Sequence, residues 1–367
     1  MKYDYLIVGC GFAGSIIAER IASILNKKVL VIDRRKHIAG NAYDELDENG
    51  ILIHKYGPHI FHTNSDKVFD YLSNFTEWIP YEHKVLAKLN NELYPIPINR
   101  LTINKLYGIN LQTEEETKAF LDRVKENRFP IKNSEDIIVN KVGKDLFEKF
   151  FKFYTIKQWN KEPKDLAPSV CGRIPIRFND DCRYFNDKYQ CMPKEGYAKM
   201  FQKILSNKLI TIELGVDYKS IKELKPKYKT IYTGPIDEFF DYKFGKLEYR
   251  SLKFEYETLN QEYALETAQI NCVDMSVPYT RMIEHKRLSF SKSPRTVISR
   301  EFSLKYGEPY YPIPDEKNRT LYVKYKNEAI GLKDVIFCGR LAEYQYYNMD
   351  QVAANALHIF ETQIAKA

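Results

Sequence analysis

The sequence predicts an α/β fold in which a parallel sheet flanked by helices carries two insertions. Three observations support this prediction. A strand-length apolar run, Tyr5 to Val8, leads into a glycine-rich turn and then into a helical pattern over 15–25. A second apolar run, Val29 to Ile32, follows, and strand and helix patterns return at 335–362. Because both ends of the chain share this pattern and the middle does not, the middle is predicted to be inserted material.

The turn after the first strand carries the spacing G-x-G-x-x-G at Gly9, Gly11 and Gly14. Gly9 allows a tight turn, Gly11 lets a pyrophosphate approach the backbone, and Gly14 lets the helix pack closely on the strand. The N-terminus of that helix offers free N–H groups to phosphates. Asp33, 19 residues after Gly14, is placed to accept ribose hydroxyls. The motif predicts a dinucleotide without choosing between FAD and NAD, and a glycine-rich turn without ligand is the alternative.

Composition bounds the class of protein. With 367 residues, 44% hydrophobic and 29% charged, the chain is typical of a globular protein of two or three domains. No apolar run has membrane-spanning length and no signal peptide precedes the first strand, so we expect a cytoplasmic protein without membrane insertion. The six cysteines form no C-x-x-C pair, which argues against zinc and redox motifs. The net charge of +7 is spread along the chain and favours anionic small molecules over nucleic acid.

The middle of the chain changes character twice. Residues 101–165 are helical and charged, with an aromatic stripe from Phe147 to Tyr154, and residues 240–325 have the alternating pattern of antiparallel sheet. The predicted domains are a nucleotide-binding α/β domain of 1–80, 190–238 and 326–367; a helical bundle of 100–165 followed by a mobile loop of 160–183; and an antiparallel sheet of 81–99, 166–189 and 239–325.

Two arginine segments could carry chemistry. Arg173 and Arg177 flank Ile-Pro-Ile, and Arg281 ends Val-Pro-Tyr-Thr-Arg. Guanidinium groups hold phosphate in a bidentate manner, so two of them from distant segments could clamp a pyrophosphate. Surface salt bridges are the alternative.

Aromatic and histidine segments give further candidates. Tyr154 to Trp159 could stack on a base or sugar, although such a stripe is more often core. Residues 343–350 lie between the last strand and last helix, where a helix N-terminus could face a flavin, or they form a plain aromatic loop. His54, His59 and His62 lack the companions of a metal site, so no metal is predicted and one of them is expected near the ligand.

Taken together, these segments resemble UDP-galactopyranose mutases of the bacterial type, over essentially the whole chain and in the same order. The matching segments are residues 4–9, 37–43, 54–63, 157–159, 173–178, 231–237, 247–254, 277–281, 308–312 and 339–344. The resemblance implies a Rossmann-like FAD-binding α/β domain with an inserted helical bundle and a twisted antiparallel sheet domain. It also implies homodimers formed through the helical bundle.

The activity that the resemblance implies is the interconversion of UDP-galactopyranose and UDP-galactofuranose, which supplies galactofuranose for surface glycans. There is no net redox change, yet FAD must be reduced. In this family flavin N5 attacks the anomeric carbon and expels UDP. The flavin–sugar adduct opens to an iminium and recloses through a different hydroxyl, after which UDP returns.

The resemblance also assigns residues. Those implied in catalysis are Arg173 and Arg281, which grip the pyrophosphate, and His59. Those implied in substrate binding are, in addition to the two arginines, Tyr154, Gln158, Trp159, Tyr184, Phe185, Asn271, Tyr311 and Tyr346. Those implied in cofactor binding are Gly9, Gly11, Phe12, Gly14, Asp33, Arg34, Gly40, Asn41, His59, Arg340, Tyr347 and Met349.

The chain departs from the family pattern at three places. Asp33 stands where the family often has Glu, Ala39 precedes Gly40 where it often has Gly-Gly, and Asn348 stands where it often has Asp. Asn348 therefore puts any charged role at its position in doubt.

Three other functions stay open at this stage. A mutase acting also or mainly on UDP-N-acetylgalactosamine would differ only at residues lining the sugar pocket. An amine-oxidase-like flavin oxidoreductase would share the N-terminal motif but would need an electron acceptor and an apolar tunnel. A non-catalytic UDP-sugar-binding protein would keep the arginines but would need no flavin.

Overall fold

The computed structural model describes residues 3–366. The strands are Tyr5–Val8 (β1), Val29–Asp33 (β2), Asp44–Leu46 (β3), Leu52–His54 (β4), Phe61–Thr63 (β5), Trp78–Pro80 (β6), Val85–Leu89 (β7), Glu92–Ile96 (β8), Tyr189–Pro193 (β9), Ile210–Leu214 (β10), Lys229–Tyr232 (β11), Tyr249–Leu259 (β12), Gln269–Cys272 (β13), Arg281–Glu284 (β14), Thr296–Leu304 (β15), Tyr311–Pro312 (β16) and Val335–Phe337 (β17). The α-helices are Phe12–Ile24 (α1), Asp66–Ser73 (α2), Arg100–Tyr107 (α3), Glu114–Val124 (α4), Ser134–Phe147 (α5), Phe153–Trp159 (α6), Ser169–Gly172 (α7), Tyr197–Ile204 (α8), Ile236–Phe239 (α9), His285–Ser289 (α10), Glu316–Ile330 (α11) and Met349–Ile359 (α12).

A five-stranded parallel sheet, in the order β10-β2-β1-β11-β17, forms the first core. Its central strands are continuous apolar runs because helices cover both faces of a parallel sheet. Helices α1 and α12 pack against each other, and Ile16, Ile17 and Ile21 of α1 are fully buried. This sheet confirms the predicted α/β class. Its carboxyl edge is where such sheets bind nucleotides.

A seven-stranded sheet in the order β16-β12-β15-β14-β13-β7-β8 forms the second layer. Its pairs are antiparallel, as predicted, except that β13 runs parallel to β7. The two parallel strands come from segments about 180 residues apart, so no hairpin joins them. The register places Asn271, Arg281 and Glu301 side by side across three neighbouring strands. Residues opposite each other share a face of the sheet, so these three side chains lie on the same face.

Helices α3 to α6 form the predicted helical region. Asn99, Thr113 and Asn133 cap three of them by accepting a backbone N–H in the first turn. The aromatic stripe lies partly in a π-helical turn, Glu148–Lys152, where Phe150 and Phe151 are buried. The loop predicted over 160–183 contains two short helical elements, a 3₁₀ turn at Pro163–Asp165 and helix α7. Mobility of this loop stays a prediction.

One element contradicts the sequence pattern. Antiparallel sheet is predicted up to residue 325, but Glu316–Ile330 form helix α11. Tyr322, Val323 and Tyr325 gave this segment a strand-like composition. The same segment contains Glu, Lys, Arg, Leu and Ala, which favour helix, and Asp315 caps it by accepting the backbone N–H of Asn318 at 2.8 Å. Helix α11 therefore spans the predicted boundary at residue 325 between the antiparallel sheet domain and the nucleotide-binding domain. The other predicted domain boundaries stay predictions.

None of the helices within residues 3–366 combines the length and the apolar character needed to cross a membrane.

Candidate active site

The glycine motif forms one wall of a cavity at the carboxyl edge of β1 and β2. Gly9 has a φ of +106°, and a Cβ there would lie 1.9 Å from Oγ1 of Thr233. Gly11 faces Gly40 of a second loop, and a Cβ on Gly40 would lie 3.0 Å from the Cα of Gly11. Two backbones therefore approach each other closely, with no side chain between them and the cavity. This arrangement is typical of a loop that receives a pyrophosphate.

Asp33 lies at the end of β2 and lines the same cavity. Its Oδ2 accepts the N–H of Cys10 at 2.8 Å, and its Oδ1 accepts the N–H of Arg35 at 2.8 Å. Each carboxylate oxygen keeps a lone pair, so the fixed Asp33 can still accept hydroxyl groups. The side chain of Asn41 accepts from Arg35 at 2.8 Å, which ties the second loop to β2. Arg34 pairs with Glu308 at 2.9 Å.

A second cavity of about 710 Å³ adjoins the first. Asn41, His59, Tyr310, Arg340 and Met349 line both, so the two form a continuous space. The volume of the second cavity lies within the range of small-ligand sites. The sheet face that carries Asn271 and Arg281 forms one side, and the helical region forms another.

Arg281 is held by an ion pair inside the second cavity. Its Nε and Nη2 donate to Oε2 of Glu301 at 2.9 and 2.8 Å, and Glu301 is 1% exposed. Burial alone would lower the pKa of Arg281, but the Glu301 carboxylate raises it, so the guanidinium stays charged. Gly57 packs beside this pair, since a Cβ there would lie 3.1 Å from the same Glu301 oxygen.

Arg173 follows α7 and faces the open part of this cavity. Its Nη2 donates to the hydroxyl of Tyr346 at 3.0 Å, and its guanidinium lies 4.6 Å from the Tyr346 ring centre. Arg340 donates from Nε and Nη2 to the carbonyl of Tyr347 at 3.1 and 2.5 Å. No carboxylate within residues 3–366 forms an ion pair with Arg173 or Arg340. Two guanidinium groups without acidic partners beside a third make the cavity a site for an anion.

His59 lies where the two cavities meet. Its backbone N–H donates to Nδ1 of His54 at 3.1 Å, and its own Nδ1 lies 2.8 Å from the carbonyl of Gly57. A carbonyl only accepts, so Nδ1 carries the proton and Nε2 keeps a lone pair. Burial, opposed by the Gly57 bond and reinforced by the charges of Arg340 and Arg281, lowers the pKa of His59 to about 4. At neutral pH this ring is an acceptor and carries no charge.

The aromatic candidates converge on the second cavity. Trp159 is buried between Tyr311 and Tyr346, with ring centres 5.2 and 5.4 Å away. The residues of the substrate-binding prediction that line this cavity are Tyr154, Gln158, Trp159, Arg173, Tyr184, Phe185, Asn271, Arg281, Tyr311 and Tyr346. Residues scattered over nearly 200 positions of the sequence therefore meet in one space.

The cofactor-binding candidates divide into three groups. Those that line the first cavity are Gly9, Gly11, Phe12, Asp33, Arg34, Gly40, Asn41, His59, Arg340 and Met349. Gly14 lies behind the turn, where a Cβ would meet the carbonyl oxygen of Gly9 at 2.0 Å. Tyr347 contributes its carbonyl to Arg340, and it borders a neighbouring outer cavity. The roles of these residues stay predictions.

No role was assigned to Glu301 or to Tyr310 from the sequence. Glu301 fixes Arg281, and Tyr310 lines both cavities. His62, one of the three histidine candidates, lines the second cavity together with His59; it stacks on Phe185 with ring centres 3.7 Å apart, and its Nδ1 lies 3.0 Å from Asp187. Only the strand register reveals that Glu301 lies opposite Arg281. Residues 3–366 contain no group of three or more His, Cys, Asp or Glu side chains placed to hold a metal ion.

Comparison with known proteins agrees with this geometry. A model of the UDP-galactopyranose mutase family matches residues 149–346, and a model of the NAD(P)-binding Rossmann-like domain matches residues 7–75. The second match confirms the predicted Rossmann-like domain, which takes a flavin or another dinucleotide.

Two relatives and one solved structure extend the comparison. A probable UDP-galactopyranose mutase of Klebsiella pneumoniae is 39% identical, covering 96% of this chain and 93% of the relative. A dTDP-fucopyranose mutase of Escherichia coli is 37% identical over 98% of both chains. The crystal structure of a reduced UDP-galactopyranose mutase has the same fold, with a TM-score of 0.81 and 15% identity over 100% of this chain and 95% of that one. The chain belongs to the UDP-galactopyranose mutase family of isomerases.

Proposed function

We propose that this protein interconverts UDP-galactopyranose and UDP-galactofuranose, with FAD as a cofactor that is active in its reduced form. One observation carries the proposal. Arg173, Arg281 and Arg340 line a cavity that is continuous with the dinucleotide cavity, and two of them have no acidic partner within residues 3–366. A diphosphate placed there would lie next to the reactive end of a bound dinucleotide.

The first cavity fits the nucleotide half of FAD. The close approach of Gly11 and Gly40 leaves backbone N–H groups and no Cβ facing the position of a pyrophosphate. Asp33 is fixed by two backbone N–H groups and can accept ribose hydroxyls. Bound and reduced, FAD supplies the nucleophile for the anomeric carbon of the sugar.

The chain's own arginines act on the leaving group. Arg281 is immobilised by Glu301, and Arg173 is steered by the ring and hydroxyl of Tyr346. Fixed positive charge at the diphosphate stabilises the negative charge that grows as the bond from the sugar to UDP breaks. The same charges hold UDP in place until it returns to the rearranged sugar.

His59 orients the sugar and takes no proton at neutral pH. Its pKa of about 4 keeps the ring neutral, and its free Nε2 lone pair can accept a sugar hydroxyl. Tyr184 and Phe185 line the same cavity, where their rings would displace water from a bound sugar. Proton transfer between sugar hydroxyls is therefore assigned to groups other than His59.

The test is turnover of UDP-galactofuranose by the purified holoenzyme, followed by chromatography under anaerobic conditions with and without dithionite. We expect UDP-galactopyranose only in the reduced sample. Absence of product from a reduced, fully flavinated enzyme would refute the proposal. UDP-N-acetylgalactosamine and dTDP-fucopyranose, the sugar nucleotide in the name of the E. coli relative, are assayed in parallel and would then identify the substrate.

We also propose where the enzyme works in the cell, in which oligomeric state, and what its product is used for. We place the enzyme in the cytoplasm as a homodimer that supplies galactofuranose to a cell-surface polysaccharide. Light scattering during size-exclusion chromatography tests the dimer, and loss of galactofuranose from the surface glycans of a deletion strain tests the supply role. A monomer, or an unchanged glycan, would contradict the respective part.

A further inference from the structure

A chain of hydrogen bonds runs through the seven-stranded sheet to the wall of the second cavity. The hydroxyl of Tyr81 lies 3.1 Å from Nδ1 of His83, and Nε2 of His83 lies 3.3 Å from Oε1 of Gln269. Nε2 of Gln269 then donates to Oδ1 of Asn271 at 2.8 Å. His83, Gln269 and Asn271 are 2%, 4% and 6% exposed, and all three line the cavity.

The phenol of Tyr81 decides which atom donates and which accepts in each of these hydrogen bonds. A phenol is a strong donor, and an imidazole nitrogen is a good acceptor, so Tyr81 donates to Nδ1 of His83. Burial raises the pKa of Tyr81 and lowers the pKa of His83 to about 3, so the phenol keeps its proton and the ring is neutral. A neutral ring that accepts at Nδ1 must donate at Nε2, and the Gln269 oxygen is the acceptor it meets.

The orientation of Gln269 in turn fixes the orientation of the Asn271 amide. Because Gln269 uses its oxygen toward His83, its nitrogen donates to the Asn271 oxygen, and the Asn271 amide cannot turn over without breaking that bond. Nδ2 of Asn271 then has no acceptor within residues 3–366, in a side chain that lines the cavity. An N–H donor that faces a cavity and has no protein acceptor favours a ligand that supplies one.

The register shows what lies beside this donor. Asn271 is paired with Arg281 on the neighbouring antiparallel strand, so the two side chains leave the same face of the sheet about 5 Å apart. The donor is therefore next to the guanidinium assigned to the diphosphate. The rings of Phe150, Phe151 and Tyr154 line the same cavity and offer an apolar surface for a flat base.

We propose that Gln269 and His83 are positioning residues that lock Asn271 as a hydrogen-bond donor to a carbonyl oxygen of a pyrimidine-dione base. The inference rests on the proposed nucleotide-sugar function and deepens it. Uracil and thymine carry the same two carbonyl oxygens and differ by one methyl group, so the locked donor serves uridine and thymidine diphosphates alike. A free asparagine amide can present either its oxygen or its nitrogen to a ligand. The hydrogen bond from Gln269 leaves Asn271 only its nitrogen, so the residue acts as a donor.

The decisive variant is Gln269→Glu, which keeps the size of the side chain but cannot donate to Asn271. The Asn271 amide must then reverse, donate to the introduced carboxylate and present its oxygen to the base. We expect the Kd of the oxidised holoenzyme for UDP and for TDP to rise at least tenfold. The reason is that the Asn271 amide would then present its oxygen to the carbonyl oxygen of the base, and two acceptors repel each other. His83→Phe, which frees Gln269 to turn, should raise Kd three- to tenfold, and His83→Gln, which can both accept and donate, should restore it to within threefold.

A double-mutant cycle separates positioning from general damage. In an Asn271→Ala background, Gln269→Glu should change the Kd for UDP less than threefold, because no amide remains to be reversed. In the single variant, KM for UDP-galactofuranose should rise at least tenfold while kcat stays within threefold. The control is Asn318→Asp, an equally buried amide in α11 outside the cavity, which should lower thermal stability and leave Kd unchanged.

The outcomes separate this inference from the proposed function. Wild-type affinity for UDP in Gln269→Glu, or an equal loss in the Asn271→Ala background, would overturn the positioning role even if the enzyme is a mutase. A wild-type protein that does not bind UDP would refute the proposed function itself. If Gln269→Glu does not fold, Gln269→Leu removes the same donor without adding a charge, and the cycle is repeated with it.

Discussion

Arg281 and Glu301 face each other on adjacent antiparallel strands, and two nitrogens of Arg281 donate to a single oxygen of Glu301 at 2.9 and 2.8 Å. This leaves Nη1 of Arg281 without an acceptor in residues 3–366. A fully buried carboxylate thus holds the arginine in one orientation while its unused donor stays available to a diphosphate.

Replacing Arg281 with alanine should lower turnover of UDP-galactofuranose at least a hundredfold, because fixed charge at the leaving group is lost. Flavin absorbance per protein molecule should stay at the wild-type level, since the arginine lies in the second cavity only. Glu301 loses its partner, so we expect a lower melting temperature and compare rates per bound flavin. Arg300→Ala is the matched control, because Arg300 precedes Glu301 on β15, points to the opposite face of the sheet and pairs with Glu257 of β12. Loss of flavin from Arg281→Ala alone would contradict the assignment.

Tyr346→Phe removes the hydroxyl that accepts from Arg173 and keeps the ring beneath the guanidinium. We expect turnover to fall about two- to tenfold, the loss of one hydrogen bond. Steady-state kinetics of the reduced enzyme measure the effect. Tyr263→Phe, at an exposed tyrosine remote from both cavities, should behave as wild type. Equal rates for Tyr346→Phe and wild type would mean that the ring alone positions Arg173.

Gly9→Ala should abolish flavin retention during purification. The new Cβ would lie 1.9 Å from Oγ1 of Thr233, and the φ of +106° is unfavourable for any side chain. We expect a loss of about 2–4 kcal/mol in the free energy of unfolding. Gly50→Ala is the comparison, because its φ of +74° is also positive but nothing lies within 4 Å of the new Cβ. It should cost about 1 kcal/mol and retain flavin. A flavinated, stable Gly9→Ala would show that the turn can relax.

His285 should make stability depend on pH. It is fully buried, with its ring nitrogens bonded to Ser299 and to the backbone N–H of His54, and burial lowers its pKa to about 3. Between pH 6.5 and 3 the unfolded chain takes up a proton at this residue and the folded protein does not, so stability falls as pH falls. His285→Gln lacks this proton uptake. The stability advantage of the wild type over the variant, from urea titrations, should therefore shrink by about 1.4 kcal/mol per pH unit below about pH 6.5. A constant difference would mean that the buried ring protonates.

Local patterns were enough to predict the dinucleotide-binding half. The turn at Gly9, Gly11 and Gly14 and the carboxylate at Asp33 all lie within one strand–helix–strand unit, so their geometry follows from local sequence. The prediction of sheet across α11 was wrong because Tyr322 and Tyr325 raised the sheet propensity of a segment that Asp315 caps as a helix. The cap and the helix-forming Glu, Lys, Arg, Leu and Ala residues of the segment together outweighed its tyrosines.

The second cavity could not be predicted from periodicity. Arg173 and Arg281 are 108 residues apart; the residues alone left a pyrophosphate clamp and surface salt bridges both open, and the resemblance to a family favoured the clamp. Glu301, Gln269 and His83 were not predicted at all, because their partners are fixed by the register of β7, β13, β14 and β15. Registers among strands joined by long connections depend on tertiary packing, which a single sequence does not encode locally.

The strand order β10-β2-β1-β11-β17 has a consequence for synthesis on the ribosome. The first strand made occupies the centre of its sheet, yet its neighbour β11 begins at residue 229 and the edge strand β17 at residue 335. Domains fold as units when their parts have emerged, and contacts of long sequence separation form slowly. β1 and β2 therefore keep apolar surface uncovered until β11 and β17 have been translated. We expect chaperones to bind nascent chains during this interval.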